Sequence, residues 1–67
     1  MQKYAKKLDE FRDLLTVDEL AEYLRVGKRK AYELCNQKGF PVIRLGMAYR
    51  IPRKALDLWL QRQAGVF

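Results

Sequence analysis

The sequence predicts a small, mainly α fold with one β-hairpin, on three observations. Apolar residues recur at helical spacing in four separate stretches. Two short alternating runs flank Gly46, as the arms of a hairpin would. The residues between these stretches (Thr16, Gly27, Gly39, Gly46, Pro52) are the types that cap helices and make turns. A chain of 67 residues forms one modest core at most, so residues 1–67 are read as a single domain, with an N-terminal helix over 1–14 and a core over 15–62.

The elements follow in order. Tyr4, Leu8, Phe11 and Leu15 are spaced by four, three and four, which predicts an amphipathic helix from Lys3 to Leu14. Thr16-Val17-Asp18-Glu19 is a capping box: the Thr16 hydroxyl accepts from the third helical amide and Glu19 reaches back to the Thr16 amide. The helix it opens buries Leu20, Ala21 and Leu24 and should stop near Val26-Gly27, where glycine tolerates the terminating turn. A second helix is expected over Lys28–Gln37, with Ala31, Leu34 and Cys35 inward and Arg29, Glu33 and Asn36 outward. Lys38-Gly39 ends it.

Val42–Leu45 and Tyr49–Ile51 read as two strands around a Gly46-Met47-Ala48 turn. Burying the most apolar surface would pair Leu45 with Tyr49 and Ile43 with Ile51, and this places Arg44 opposite Arg50 on the outer face. Two like charges side by side repel unless an anion covers them. Pro52 suits the first position of a last helix, whose inward stripe is Ala55, Leu56, Trp59 and Leu60 and which Gly65 ends.

Charge narrows the function. The net charge is +6, and it is unevenly placed. Nine basic residues lie between Arg25 and Lys54 against one acid, Glu33, a local +8, whereas the two ends hold five bases and seven acids, or −2. A positive field concentrated in mid-chain suits a phosphate-facing surface. The chain has no histidine and no serine, and one cysteine, Cys35. The usual zinc ligand sets, a Ser-His or Cys-His nucleophile pair and an internal disulfide are therefore excluded. No enzyme activity, metal or cofactor is expected. Without a signal sequence or an apolar span, a cytoplasmic, nucleoid-associated location is expected and no membrane partner. Cys35 falls on the buried stripe and reads as a small core residue, as Phe40 and Trp59 read as core anchors.

Two short helices joined by a tight turn, the second basic on its outer face, make a helix-turn-helix, and the arginine-bearing hairpin is its wing. Arg29 or Lys30 suits guanine and Asn36 suits adenine in the major groove. Lys28 and Tyr32 suit phosphates.

Leu14–Leu24, Val26-Gly27, Gly39-Phe40-Pro41-Val42, Arg44-Leu45-Gly46, Tyr49-Arg50-Ile51-Pro52-Arg53, Leu56 and Trp59-Leu60, taken together, resemble the excisionase-type domain, a winged-helix relative of the MerR DNA-binding domain. The resemblance runs from Leu14 to Arg62 and is nearest to small excisionases of conjugative transposons and phages. It implies that the helix at Lys28–Gln37 enters the major groove and that the wing around Gly46–Arg50 meets the adjacent minor groove. The residues so implicated are Lys28, Arg29, Lys30, Tyr32, Glu33, Asn36, Arg44, Met47, Tyr49, Arg50 and Arg53. The implied partners are double-stranded DNA at attachment-site arms, a tyrosine-recombinase integrase, and further copies of the chain assembled cooperatively on DNA. The implied role is to bend DNA and direct excision of a mobile element. Two other readings stand beside it: a small helix-turn-helix transcriptional regulator, since the fold hosts both, and a protein-binding module.

Overall fold

The computed structural model describes residues 7–65. The elements run from a 3-10 turn (Leu8–Glu10) and β1 (Leu14–Leu15) to α1 (Val17–Leu24) and α2 (Lys28–Cys35). They continue through β2 (Ile43–Leu45) and β3 (Ala48–Pro52) to α3 (Arg53–Gln63). Three helices surround a three-stranded antiparallel sheet of order β1-β3-β2, the winged helix-turn-helix arrangement the sequence predicts.

The helical pair forms for local reasons. Thr16 Oγ1 accepts from the Glu19 amide at 3.1 Å, and Glu19 Oε1 accepts from the Thr16 amide at 2.9 Å, so the capping box is present in both directions. Ala21 and Ala31 are both buried, and these small side chains let α1 and α2 cross closely. The end of α1 differs from expectation. Arg25, at φ 59°, takes the left-handed turn itself, and the Val26 amide reaches back to the Ala21 carbonyl at 3.1 Å. Gly27 is instead extended and serves as the N-cap of α2. A non-glycine residue in that conformation costs about 1–2 kcal/mol, here outweighed by the bonds that close the helix end.

The first ten or so residues depart further from the sequence reading. The Lys3–Lys6 part of the expected N-terminal helix, with Tyr4, lies outside the described residues. The rest forms only the 3-10 turn and then an extended segment that ends in β1. Leu15 pairs with Ile51 and Leu14 with Pro52, making a third strand that helical spacing concealed. Phe11 is buried, with its ring 5.7 Å from that of Tyr23 in an edge-to-face pair. Strand pairing and this anchor win over a helical pattern too short to hold a helix in water.

The hairpin register also shifts. Leu45 pairs with Ala48, Arg44 with Tyr49 and Ile43 with Arg50. The turn is the two residues Gly46-Met47, with Gly46 at φ +63° and Met47 at negative φ, the pattern of a tight hairpin turn with glycine first. Arg44 and Arg50 are therefore not opposite each other. Tyr49 and Ile51 face the core side together with Arg44, while Ile43 (41% exposed) and Leu45 (56%) face out. Turn geometry set the register, and the apolar pair on β2 was left in water. Helix α3 starts at Arg53, with Pro52 as its N-cap rather than its first residue.

Leu15, Leu20, Ile51 and Leu56 form the centre of the core, closed by Cys35, Phe40 and the two alanines. Phe40 meets Trp59 edge to face at 4.9 Å, as expected of core anchors. Burial pushes the Cys35 thiol above its ordinary value, with the nearby Arg44 charge opposing, so it stays protonated at neutral pH as a small core residue. Among the described residues no helix is long and apolar enough to cross a membrane.

Candidate nucleic-acid interface

Helix α2 is oriented by its buried side. Ala31 and Cys35 are fully enclosed, which turns Arg29, Glu33 and Asn36 toward solvent as their spacing predicts. The Arg29 side chain is 95% exposed. Glu33 lies between two cations, 4.0 Å from Arg29 Nε and 3.9 Å from Lys30 Nζ. Exposed pairs of this length contribute little to stability and exchange readily for another anion. Lys28, at the first turn, reaches across to Asp18 at the start of α1, 3.2 Å away. The hydrogen bond and charge of Asp18 raise the Lys28 ammonium above its ordinary value, so Lys28 is cationic throughout the neutral range. Asp18, part of the Thr16 capping box in the sequence, is not among the residues implicated there in DNA binding. Only the crossing of two helices brings it to Lys28.

The hairpin is braced against α2 through its core-facing side. Arg44 Nη2 donates to the Cys35 carbonyl at 3.2 Å, capping the end of α2, and the Arg44 guanidinium lies 5.5 Å from the centre of the Tyr49 ring. The Tyr49 hydroxyl donates to Asn36 Oδ1 at 3.4 Å, and Asn36 Nδ2 donates to the Tyr32 carbonyl at 3.2 Å. The Tyr32 and Tyr49 rings are 6.1 Å apart. Four of the residues singled out from sequence (Tyr32, Asn36, Arg44, Tyr49) thus touch one another and fix the hairpin beside the helix.

Between the starts of α1 and α2 and the hairpin lies an open cleft of about 200 Å³, lined by Asp18, Lys28, Tyr32, Met47, Tyr49 and Arg50 together with Thr16, Val17 and Ala48. Arg50 Nη1 donates to its neighbour's carbonyl, that of Tyr49, at 2.8 Å. The cleft therefore gathers side chains from both elements of the expected interface, and Arg29, Lys30 and Glu33 continue along the exposed face of α2.

Arg53 is placed elsewhere. Its Nη1 donates to the carbonyls of Asp9 (3.2 Å) and Phe11 (2.9 Å), its Nη2 lies 3.4 Å from Asp13 Oδ1, and its amide donates to the Asp13 carbonyl at 2.7 Å. It ties the N-terminal segment to α3. Sequence spacing holds no signal for this, because the partners lie about forty residues away. Among the described residues no group of three or more His, Cys, Asp or Glu could hold a metal ion.

A family model described as a helix-turn-helix domain matches residues 14–64. The chain is 41% identical over 51 residues to a Saccharopolyspora erythraea protein named "probable excisionase", an alignment covering 76% of this chain and 52% of that protein. It is 36% identical over 53 residues to an excisionase of Streptomyces ambofaciens, covering 79% of this chain and 86% of the relative. The chain thus spans about half the length of the first relative and most of the second. No solved structure gives a significant match. Matched over most of its length by the domain model and by excisionases alike, the chain belongs to the excisionase family of helix-turn-helix DNA-binding proteins.

Proposed function

We propose that this protein acts as an excisionase: it binds double-stranded DNA at the arms of an attachment site, bends it, and directs a tyrosine-recombinase integrase toward excision of a mobile element. In this reading α2 lies in the major groove, where Arg29 or Lys30 pairs with guanine and Asn36 pairs with adenine through the amide hydrogen and lone pair that its Tyr32 and Tyr49 contacts leave open. Lys28, Tyr32 and Arg50 hold phosphates, with Lys28 exchanging Asp18 for the DNA backbone. Tyr49 and Arg44 keep the wing at its distance from the helix, and Glu33 limits which bases the neighbouring cations accept. The protein contributes geometry and performs no bond-breaking step, and its place is the cytoplasm, on the nucleoid.

The single observation that carries this reading is the convergence of Lys28 and Tyr32 from α2 with Met47 and Arg50 from the hairpin on one cleft. A solvated charged surface would not need its two elements cross-braced. The names of the relatives support excision over other uses of the fold.

The test is a gel shift and footprint on DNA flanking the gene. Several adjacent protected sites beside a recombination junction, with induced bending, are the expected result. A single palindrome over a promoter would identify a transcriptional regulator instead. Affinity should fall steeply with salt, with a log–log slope of about −0.9 per phosphate contacted. Duplex affinity that salt does not change would overturn the interface.

A further inference from the structure

We propose that Met47 is an apolar wedge that enters the minor groove and partly unstacks the base step it meets, so that the bend depends on this side chain. The inference rests on the DNA-binding reading above and names the residue that would do the bending.

The hairpin tip carries no charge. Gly46-Met47-Ala48 offers phosphates no cation, and the one long side chain there, Met47, is fully exposed at 102% relative accessibility. It is the second residue of a two-residue turn, and so stands at the outermost point of the hairpin. An unbranched thioether is slim, polarizable and able to fill an irregular gap, which suits insertion between stacked rings. Methionine is among the apolar side chains used to pry base steps apart and kink the duplex toward the major groove.

A wedge works only on a rigid mount. The hairpin is held to α2 by the Arg44–Cys35 bond at 3.2 Å, the Tyr49–Asn36 bond at 3.4 Å and the Tyr32–Tyr49 ring contact at 6.1 Å. With α2 seated in one groove, the tip cannot swing aside, and the DNA must deform to accommodate it. Met47 also shares its cleft with Lys28 and Arg50, so cations are placed to hold the backbone beside the groove the tip would enter. That continuity selects DNA over a protein as the occupant. A protein interface needs a broad complementary patch, on the order of 800 Å² per partner, and Met47 with Ile43 and Leu45 behind it is only three side chains wide. The cost of insertion is lowest at flexible pyrimidine–purine steps, so the wing half of the site should contain one.

The experiment uses the full chain and a duplex carrying the footprinted site, with a donor and acceptor dye at its ends and 2-aminopurine at successive steps under the wing. Met47→Ala, Met47→Gln and Met47→Leu should all fold with unchanged melting temperature, since the side chain is fully exposed. The unsubstituted chain and Met47→Leu should bend the duplex and brighten 2-aminopurine at one step. Met47→Ala and Met47→Gln should bind about tenfold more weakly, leave the duplex straighter and lose the brightening. A bend retained in Met47→Ala, or a Met47→Gln variant indistinguishable from Met47→Leu, overturns the wedge and leaves the interface standing. Failure of the unsubstituted chain to bind any duplex overturns both.

Discussion

Helix α2 and the β2–β3 hairpin lie side by side, but they are built with opposite polarity. The helix turns its apolar residues, Ala31 and Cys35, into the core and its charged ones, Arg29, Lys30 and Glu33, into water. On β2 the hairpin does the reverse. Arg44 points back to the Cys35 carbonyl, while Ile43 and Leu45, with the tip Met47, face outward. The helix is held by burial and its exterior is free to bind charge. Strand β2 is held by polar contacts and its exterior is apolar, while β3 is anchored by buried Ile51 and carries Arg50 on its outer face. One interface can thus contain two kinds of contact: hydrogen bonds and ion pairs along the helix, and shape and hydrophobic contact at the wing.

The contrast can be tested from its largest consequence downward. If burial holds the helical pair, Leu20→Ala should destabilise the fold by about 2–5 kcal/mol in urea denaturation, because it leaves a cavity at a fully buried core position. A loss under 1 kcal/mol would show that the pair is not the stable half. If the exterior of α2 reads bases, Arg29→Ala should weaken specific duplex binding by about 1–3 kcal/mol and relax base preference, with stability unchanged. Arg50→Ala should instead weaken binding to all sequences alike and make the salt slope shallower by about 1.

If polar contacts hold the hairpin, Arg44→Ala should cost about 1 kcal/mol and leave the α2 amides as protected from hydrogen exchange as before, while protection of Tyr49 and Arg50 falls. Equal loss in both elements would mean that the brace supports the whole core. A smaller effect concerns pH. The Cys35 thiol ionises at a higher pH folded than unfolded, where its ordinary value is 9.0. Its contribution is therefore fully present below pH 9.0 and is lost as pH rises from there through the folded value. Stability of Cys35→Ala, followed by thermal melting, should fall less over that alkaline range. The smallest effect belongs to the hairpin's outer face. Ile43→Thr should change stability by no more than about 0.5 kcal/mol, since that side chain already faces water. A larger loss would return Ile43 to the core and undo the comparison.

Legibility followed the range of the interactions. The capping box at Thr16, the inward stripe of α2, the presence of a hairpin and the start of the last helix to within one residue all depend on neighbours a few positions apart, and all were readable. Most of the candidate interface was readable for the same reason, because helical spacing alone sends Arg29, Glu33 and Asn36 outward. Three features misled. Arg25 rather than Gly27 turns the end of α1, a choice made by the bonds available there. Leu8, Phe11 and Leu15 keep helical spacing although the chain forms a turn and a strand, since the pairing partner is Ile51. The expected hairpin register followed the assumption that apolar residues must be inside, whereas a two-residue turn moved every pairing by one.

Taken alone, the order of residues determined the helical pair, the Thr16 cap that opens it and the mid-chain positive charge, since these depend on composition and short-range periodicity. Tertiary structure alone decided that Arg44 braces the hairpin, that Arg53 ties down the N-terminal segment and that Asp18 meets Lys28. The physical reason is that a long cationic side chain bonds to whatever acceptor the fold brings within reach, and one-dimensional spacing does not encode that distance.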